Sequence, residues 1–133
     1  MNILDSSAWL EVLTGGGNSQ RFQHVVVEEK ELLVPTIVIA EVWRFLVRDA
    51  DTQTAQSAIG ALFRCVIVDL DSATAMAAGD FSLKYKLPLA DSLIYATAQS
   101  RKALLWTQDA HFEGLPDVKF FAKAKAKVRL AKS

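Results

Sequence analysis

The 133-residue sequence contains only one cysteine, three prolines and six glycines. A single cysteine excludes an internal disulfide bond and a metal site built from several thiolates. Cys65 begins the apolar run Cys65–Val68, so we expect a buried, unreactive thiol. No apolar run is long enough to span a bilayer, and Asn2–Leu4 leads directly into Asp5 without the features of a secretory signal. We therefore expect a cytoplasmic protein that contacts no membrane.

Net charge is also lacking, because 15 basic residues balance 15 acidic ones. The balance is uneven along the chain, since residues 119–133 contain six basic residues and no acid. The basic residues of this segment are Lys119, Lys123, Lys125, Lys127, Arg129 and Lys132. Residues 1–118 therefore carry a net charge of −6. A basic end on an acidic body is compatible with nucleic-acid binding and with a merely solvated terminus.

Short apolar runs alternate with longer segments in which apolar residues recur at helical spacing. Strands are predicted at Asn2–Leu4, Leu32–Val34, Cys65–Val68, Ala103–Trp106 and Val118–Phe121. Helices are predicted at Ser7–Leu13, Gln20–Glu29, Thr36–Arg48, Thr52–Phe63, Ser72–Leu83 and Ala90–Lys102. This alternation predicts an α/β protein with a largely parallel sheet covered on both faces. We expect one domain over residues 1–121, with residues 122–133 as its basic C-terminal extension, either helical or extended.

Four acidic residues stand beside predicted strands or in the first turns of predicted helices: Asp5, Glu41, Asp91 and Asp109. Acids so close to a core are costly unless a positive charge compensates them. In a parallel sheet, ligands gather beyond the carboxyl ends of the strands, where Asp5 and Asp109 would meet if their strands are neighbours. Oxygen ligands favour Mg²⁺ or Mn²⁺ over zinc or copper. The spacing does not distinguish one ion from two.

Four segments, in this order along the chain, carry a family resemblance: Asn2–Ser7, Pro35–Val42, Leu87–Ala98 and Trp106–Phe112. Together they resemble the successive motifs of PIN-domain ribonucleases, over roughly residues 1–121. The short, single-domain form is similar to the VapC toxins of VapBC toxin–antitoxin pairs. The lysine-rich end extends beyond the usual last strand of that family, so the resemblance implies no role for it.

The resemblance implies a three-layer α/β/α fold with strand order 3-2-1-4-5 and a Mg²⁺- or Mn²⁺-dependent endoribonuclease activity. The residues that match the family's acidic catalytic and metal-binding site are Asp5, Glu41, Asp91 and Asp109. Ser6 matches a small polar residue that supports the first acid, and Thr107 matches the hydroxyl residue before the last. The family further implies an RNA substrate, a cognate antitoxin whose C-terminal segment covers the acidic groove, and a homodimer.

Several polar residues have two interpretations. Arg44 and Arg48 share a helical stripe with Glu41, so they are either candidate RNA contacts or members of an intrahelical ion pair. Ser6 and Ser7 are expected to cap a helix that begins near Ala8. The two histidines, His24 and His111, are expected to be structural or surface residues. The tryptophans are expected in the core or at a dimer contact.

The function predicted from these residues is that of a metal-dependent endoribonuclease, the toxin of a type II toxin–antitoxin pair. Two alternatives stay open: a free-standing PIN-type RNA-processing nuclease, and an RNA-binding module that does not cleave. A dinucleotide-binding enzyme is disfavoured because Gly15–Gly17 lies too far beyond the first strand to form its phosphate loop. A haloacid-dehalogenase-like phosphatase is disfavoured because Ser7 occupies the position of its second aspartate.

Overall fold

The computed structural model of the chain describes residues 1–124. Its five strands are Asn2–Leu4 (β1), Leu32–Pro35 (β2), Val66–Val68 (β3), Leu104–Thr107 (β4) and Val118–Phe120 (β5). They form one sheet in the order β3-β2-β1-β4-β5, and every neighbouring pair is parallel. The predicted α/β class and the strand order 3-2-1-4-5 are therefore confirmed.

Helices follow the strands as the apolar spacing predicts. They are Ser6–Thr14 (α1), Ser19–Val26 (α2), Thr36–Asp49 (α3), Thr52–Phe63 (α4), Ser72–Tyr85 (α5) and Leu89–Ser100 (α6). The largest difference from prediction is at α2, which ends at Val26 and is followed by a 3₁₀ turn at Glu29–Glu31. Three consecutive β-branched residues, Val25–Val27, lower the helix propensity at this end.

The core lies between the sheet and its helices. The central strands are mostly apolar and buried, and β2 is buried throughout, as expected for a parallel sheet with both faces covered. Ile3, Leu4 and Val34 have no exposed surface. Cys65 is buried as predicted, and burial raises the pKa of its thiol to about 11. Within residues 1–124, no helix has the length and apolar character needed to cross a membrane.

The turns around β1 determine where the first acid lies. Asp5 directly follows β1 and is the N-cap of α1, accepting a hydrogen bond of 2.9 Å from the Ala8 backbone. The prediction that Ser6 or Ser7 caps a helix beginning near Ala8 is therefore wrong, because α1 already begins at Ser6. Gly15 ends this helix in the left-handed conformation (φ 69°), which glycine adopts without steric cost.

The chain beyond β5 remains packed against the domain as far as it is described. The Ala122 carbonyl accepts a 2.9 Å hydrogen bond from Asn18 Nδ2, in the connection between α1 and α2. Most of the predicted basic extension, including its alternative helical and extended conformations, falls on residues 125–133, which lie outside the described residues. The boundary at residue 121 stays a prediction.

Candidate active site

Asp5 is a buried acid with its carboxylate fixed in place. Its side chain accepts from Ser7 Oγ at 2.7 Å and from the Ala8 backbone at 2.9 Å through Oδ1, and from Thr107 Oγ1 at 2.6 Å through Oδ2. A carboxylate has about four lone-pair positions, so these three donors leave one for a further partner. Burial raises the pKa of Asp5 to about 7, the three hydrogen bonds counteract part of that effect, and the Asp109 charge adds to it.

Asp109 lies close to Asp5 because β4 is the neighbour of β1. The Asp5 backbone donates to the Trp106 carbonyl at 3.2 Å, which continues the pairing of the two strands. Thr107 Oγ1, besides donating to Asp5, accepts from the Asp109 backbone N–H at 2.9 Å. The Asp109 carboxylate then caps the 3₁₀ turn Ala110–Phe112, accepting from the His111 backbone at 2.9 Å. One threonine therefore connects the two acids.

Asp91 reaches the same edge of the sheet from the first turn of α6, which begins at Leu89 after Pro88. Its Oδ2 lies 3.2 Å from His111 Nδ1, and the same nitrogen lies 3.1 Å from Asp109 Oδ1. Burial raises the pKa of Asp91 to about 6, with a further contribution from the Asp109 charge. Glu41 adds to the rise, whereas His111 opposes it.

Glu41 enters from α3, and its nearest polar partner is Ser6, whose hydroxyl donates to Glu41 Oε1. Ser6 thus contacts the second acid, while Ser7 and Thr107 hold the first. The intrahelical ion pair considered for Glu41 and Arg44 is not formed within residues 1–124. Glu41 is partly buried and acts electrostatically on Asp91.

The four predicted acids share one region, but they are not equally close. Among the described residues, a single group of three or more potential ligands has its ligand atoms within 4.8 Å of one another: Asp91, Asp109 and His111. Asp5 and Glu41 lie outside that group and are coupled to it through their charges. Within residues 1–124, none of the four acids forms an ion pair with lysine or arginine. In this part of the chain, the basic group in contact with Asp91 and Asp109 is the His111 ring.

A groove of about 460 Å³ runs beside the acids, between α1, α3 and the start of α6. Its lining includes Ser6, Glu41 and both predicted RNA contacts, Arg44 and Arg48. Arg48 Nε is 2.6 Å from Asp49 Oδ1, and its guanidinium carbon lies 5.3 Å from the centre of the Phe45 ring. Arg44 is exposed and forms no ion pair in the described part of the chain.

Two residues contact the site although the sequence indicated only structural or surface roles for them. Ser7 donates to Asp5, and His111 contacts both Asp91 and Asp109. The sequence did contain a signal for the contact of His111, since this residue lies two positions after Asp109, an acid that follows a predicted strand. The other histidine, His24, is exposed, with its ring edge-on to Trp106 at 5.3 Å between centroids. Trp9 is fully buried in the core, as predicted.

Comparison with known proteins identifies the family to which the chain belongs. Solved structures of similar fold include a toxin–antitoxin complex from Klebsiella pneumoniae, with 22% sequence identity and a TM-score of 0.73 over 90% of this chain and 96% of that one. VapC20 from Mycobacterium tuberculosis, described as a sarcin–ricin loop cleaving toxin, has 13% identity and a TM-score of 0.73, over 89% of this chain and 97% of that one.

VapBC2 from Rickettsia felis, solved with a DNA fragment from its promoter, has 15% identity and a TM-score of 0.72 over 92% of this chain and 98% of that one. At such identities the likeness is one of fold. No curated protein sequence matches the chain significantly. The model of the PIN domain, in contrast, matches residues 3–118, nearly the whole described structure. The chain therefore belongs to the PIN-domain family.

Proposed function

We propose that this PIN-domain protein is a metal-dependent endoribonuclease and the toxin of a type II toxin–antitoxin pair. The observation that carries the proposal is the convergence of Asp5, Asp91 and Asp109 at the ends of neighbouring elements, with no lysine or arginine paired to them in residues 1–124. Carboxylates gathered in this way cost free energy unless a cation joins them.

The donor set fits Mg²⁺ or Mn²⁺. We propose that Asp91 and Asp109, which offer ligand atoms within 4.8 Å of each other, bind the cation directly, and that Asp5 and Glu41 complete the acidic site. Asp5 retains one acceptor position, directed by the hydrogen bonds from Ser7 and Thr107. When bound, such a cation would offset the negative charge of a phosphodiester and help to generate the attacking hydroxide.

The groove between α1 and α3 suits an RNA backbone. Arg44 lines it on the side of Glu41, and a guanidinium can hold a phosphate through two parallel hydrogen bonds. The acids alone would repel a polyanion, so we propose that a nearby arginine and a divalent cation each favour its binding. We propose Arg44 as the principal phosphate contact, because Arg48 is already engaged by Asp49 and Phe45.

The role as a toxin is supported by the similar structures. They are described as a toxin–antitoxin complex, as VapBC2 and as the toxin VapC20. We propose that a cognate antitoxin covers the groove and that the protein forms a homodimer. A free-standing RNA-processing nuclease would share the same acids. Co-expression with the product of the neighbouring reading frame distinguishes the two, since only a toxin is silenced by that product.

Cleavage of labelled RNA by purified protein tests the nuclease activity. Activity should require Mg²⁺ or Mn²⁺, cease in EDTA, and fall at least about a hundredfold in Asp91→Asn and Asp109→Asn, because each removes a charge from the site. The matched control is Asp80→Asn, which replaces an exposed acid of α5 and should retain full activity. If the metal-loaded wild type does not cleave RNA, or if the site variants cleave equally well, the proposal is wrong.

A further inference from the structure

His111 occupies a position among the acids that a simple surface residue would not need. Its Nδ1 lies 3.1 Å from Asp109 Oδ1 and 3.2 Å from Asp91 Oδ2. Ligands bound at about 2.1 Å around an octahedral cation are separated by about 3 Å from their neighbours. The nitrogen is therefore separated from each oxygen as adjacent ligands of one ion are, and all three side chains offer ligand atoms within 4.8 Å of one another.

The location of this nitrogen is determined by the backbone. The Asp109 carboxylate accepts from the His111 backbone N–H at 2.9 Å, which closes the 3₁₀ turn Ala110–Phe112. Phe112, the last residue of the turn, is fully buried and anchors it to the core. The histidine side chain remains 57% exposed, so packing does not hold its ring against the acids. The contacts with Asp91 and Asp109 do.

We propose that His111 is a nitrogen ligand of the metal site and that it makes the site prefer Mn²⁺ and Co²⁺ over Mg²⁺. This inference rests on the proposed function, because it concerns the same cation. Without an ion, an Nδ1–H donated to the carboxylates accounts for the contacts; in the other tautomer the same nitrogen presents a lone pair. Imidazole is a good ligand for transition metals, whereas Mg²⁺ prefers oxygen.

The mixed ligand set changes the expectation drawn from the acids alone. A site built only from oxygen ligands suits both Mg²⁺ and Mn²⁺. One imidazole beside Asp91 and Asp109 would add affinity along the series from Mn²⁺ to Co²⁺, but little for Mg²⁺. The metal preference would thus depend on an exposed residue two positions after Asp109.

Pulsed electron paramagnetic resonance of the Mn²⁺-loaded full chain, after removal of any histidine tag, tests the bond itself. Wild type should show hyperfine coupling to one imidazole nitrogen, and His111→Gln should lose it. The matched control is His24→Gln, since His24 is the only other histidine of the chain and lies exposed against Trp106. This control should retain the nitrogen coupling.

Calorimetric titrations of the same proteins give the metal preference. His111→Gln should weaken Mn²⁺ and Co²⁺ binding by about tenfold or more and change Mg²⁺ binding by less than about twofold. Circular dichroism checks that the variant is folded. We expect it to fold, because the His111 side chain is exposed.

A nitrogen coupling that is absent from Mn²⁺-loaded wild type, or that persists in His111→Gln, would overturn the inference. RNA cleavage by that same protein would then leave the proposed nuclease function standing. If wild type binds no divalent cation at all, both proposals fail together. Equal losses of Mg²⁺ and Mn²⁺ affinity in His111→Gln would contradict the proposed metal preference, even if the nitrogen coupling were present.

Discussion

Thr107 Oγ1 donates a 2.6 Å hydrogen bond to Asp5 Oδ2, although the two residues are 102 positions apart in the sequence. The contact exists because β1 and β4 are parallel neighbours that end at the same edge of the sheet. Thr107 is fully buried, and its hydroxyl also accepts from the Asp109 backbone. The hydroxyl therefore orients one acid and positions the segment that carries another.

Replacing Thr107 by valine should weaken metal binding without changing the shape of the core. Valine has nearly the same volume but leaves Asp5 Oδ2 without its donor and the Asp109 N–H without its acceptor. Unpaired buried groups cost about 1–3 kcal/mol, and loss of an orienting partner typically lowers metal affinity 10–100-fold. Denaturant unfolding and calorimetric titration with Mn²⁺ measure the two effects.

Thr107→Ser is the control, because it keeps the hydroxyl and removes only a methyl group. It should retain metal affinity within about threefold, while losing roughly 1 kcal/mol through the missing methyl. If Thr107→Val binds Mn²⁺ as tightly as Thr107→Ser, the hydroxyl does not orient Asp5 for metal binding.

The metal-free protein should become less stable as the pH rises. Burial raises the pKa of Asp5 from 3.8 to about 7, so between these values the native state holds a proton that the unfolded chain has released. The free energy of unfolding therefore decreases through this window and levels off above it. Each unit of pKa difference corresponds to about 1.4 kcal/mol. Urea unfolding in EDTA, from pH 4.5 to 8, measures the slope.

Asp5→Asn isolates the contribution of this residue, because an amide cannot ionise. Its free energy of unfolding should depend less steeply on pH than that of wild type, with the difference growing from pH 4.5 to 7.5. Asp91, whose pKa is raised to about 6, adds a loss of the same sign over a narrower pH range to both proteins. Parallel curves for wild type and Asp5→Asn would show that Asp5 is ionised throughout.

Addition of Mn²⁺ should reverse this loss of stability at alkaline pH. A ligand that binds only the native state stabilises it by about 2.7 kcal/mol at a concentration of 100 times Kd. The melting temperature at pH 8 should therefore rise with Mn²⁺ in wild type and in Asp80→Asn, and rise much less in Asp109→Asn. Equal shifts in all three proteins would mean that the ion binds elsewhere.

The helices and strands were predictable because they depend on patterns that act locally. Apolar runs of strand length and helical spacing identified the six α-helices and five strands of residues 1–124, though not the two 3₁₀ turns. The strand order, which brings Asp5 towards Asp109, was implied by the resemblance to PIN-domain proteins and is confirmed. Both levels follow from backbone geometry and burial. They do not depend on the direction of any single side chain.

The individual contacts were harder to predict, because they depend on such directions. Ser6 and Ser7 are adjacent, but residues on a helix are rotated by about 100° from one to the next, so Ser6 faces α3 and Glu41 while Ser7 faces Asp5. The contacts of His111 depend on a 3₁₀ turn of three residues, too short to show a periodicity. Such details require the tertiary structure.

Arg44→Ala should weaken RNA binding and reduce its salt dependence. Arg44 lines the groove beside Glu41 and forms no ion pair within residues 1–124, so it is available to a phosphate. Loss of one phosphate contact with a single strand lowers the magnitude of the slope of log K against log salt by about 0.7. Fluorescence anisotropy with a labelled single-stranded RNA measures the affinity and its salt dependence. Each protein also carries Asp109→Asn, which prevents cleavage of the RNA.

Arg64→Ala is the control for an arginine outside the groove. Arg64 pairs with Glu29 at 2.9 Å and does not line the groove. This variant should bind RNA with the affinity and salt slope of its parent. Arg48→Ala should lie between the two, because Arg48 would have to leave Asp49 to reach a phosphate. If Arg44→Ala and Arg64→Ala lose affinity equally, RNA is attracted by the overall charge of the surface, and the groove beside Glu41 is not where it binds.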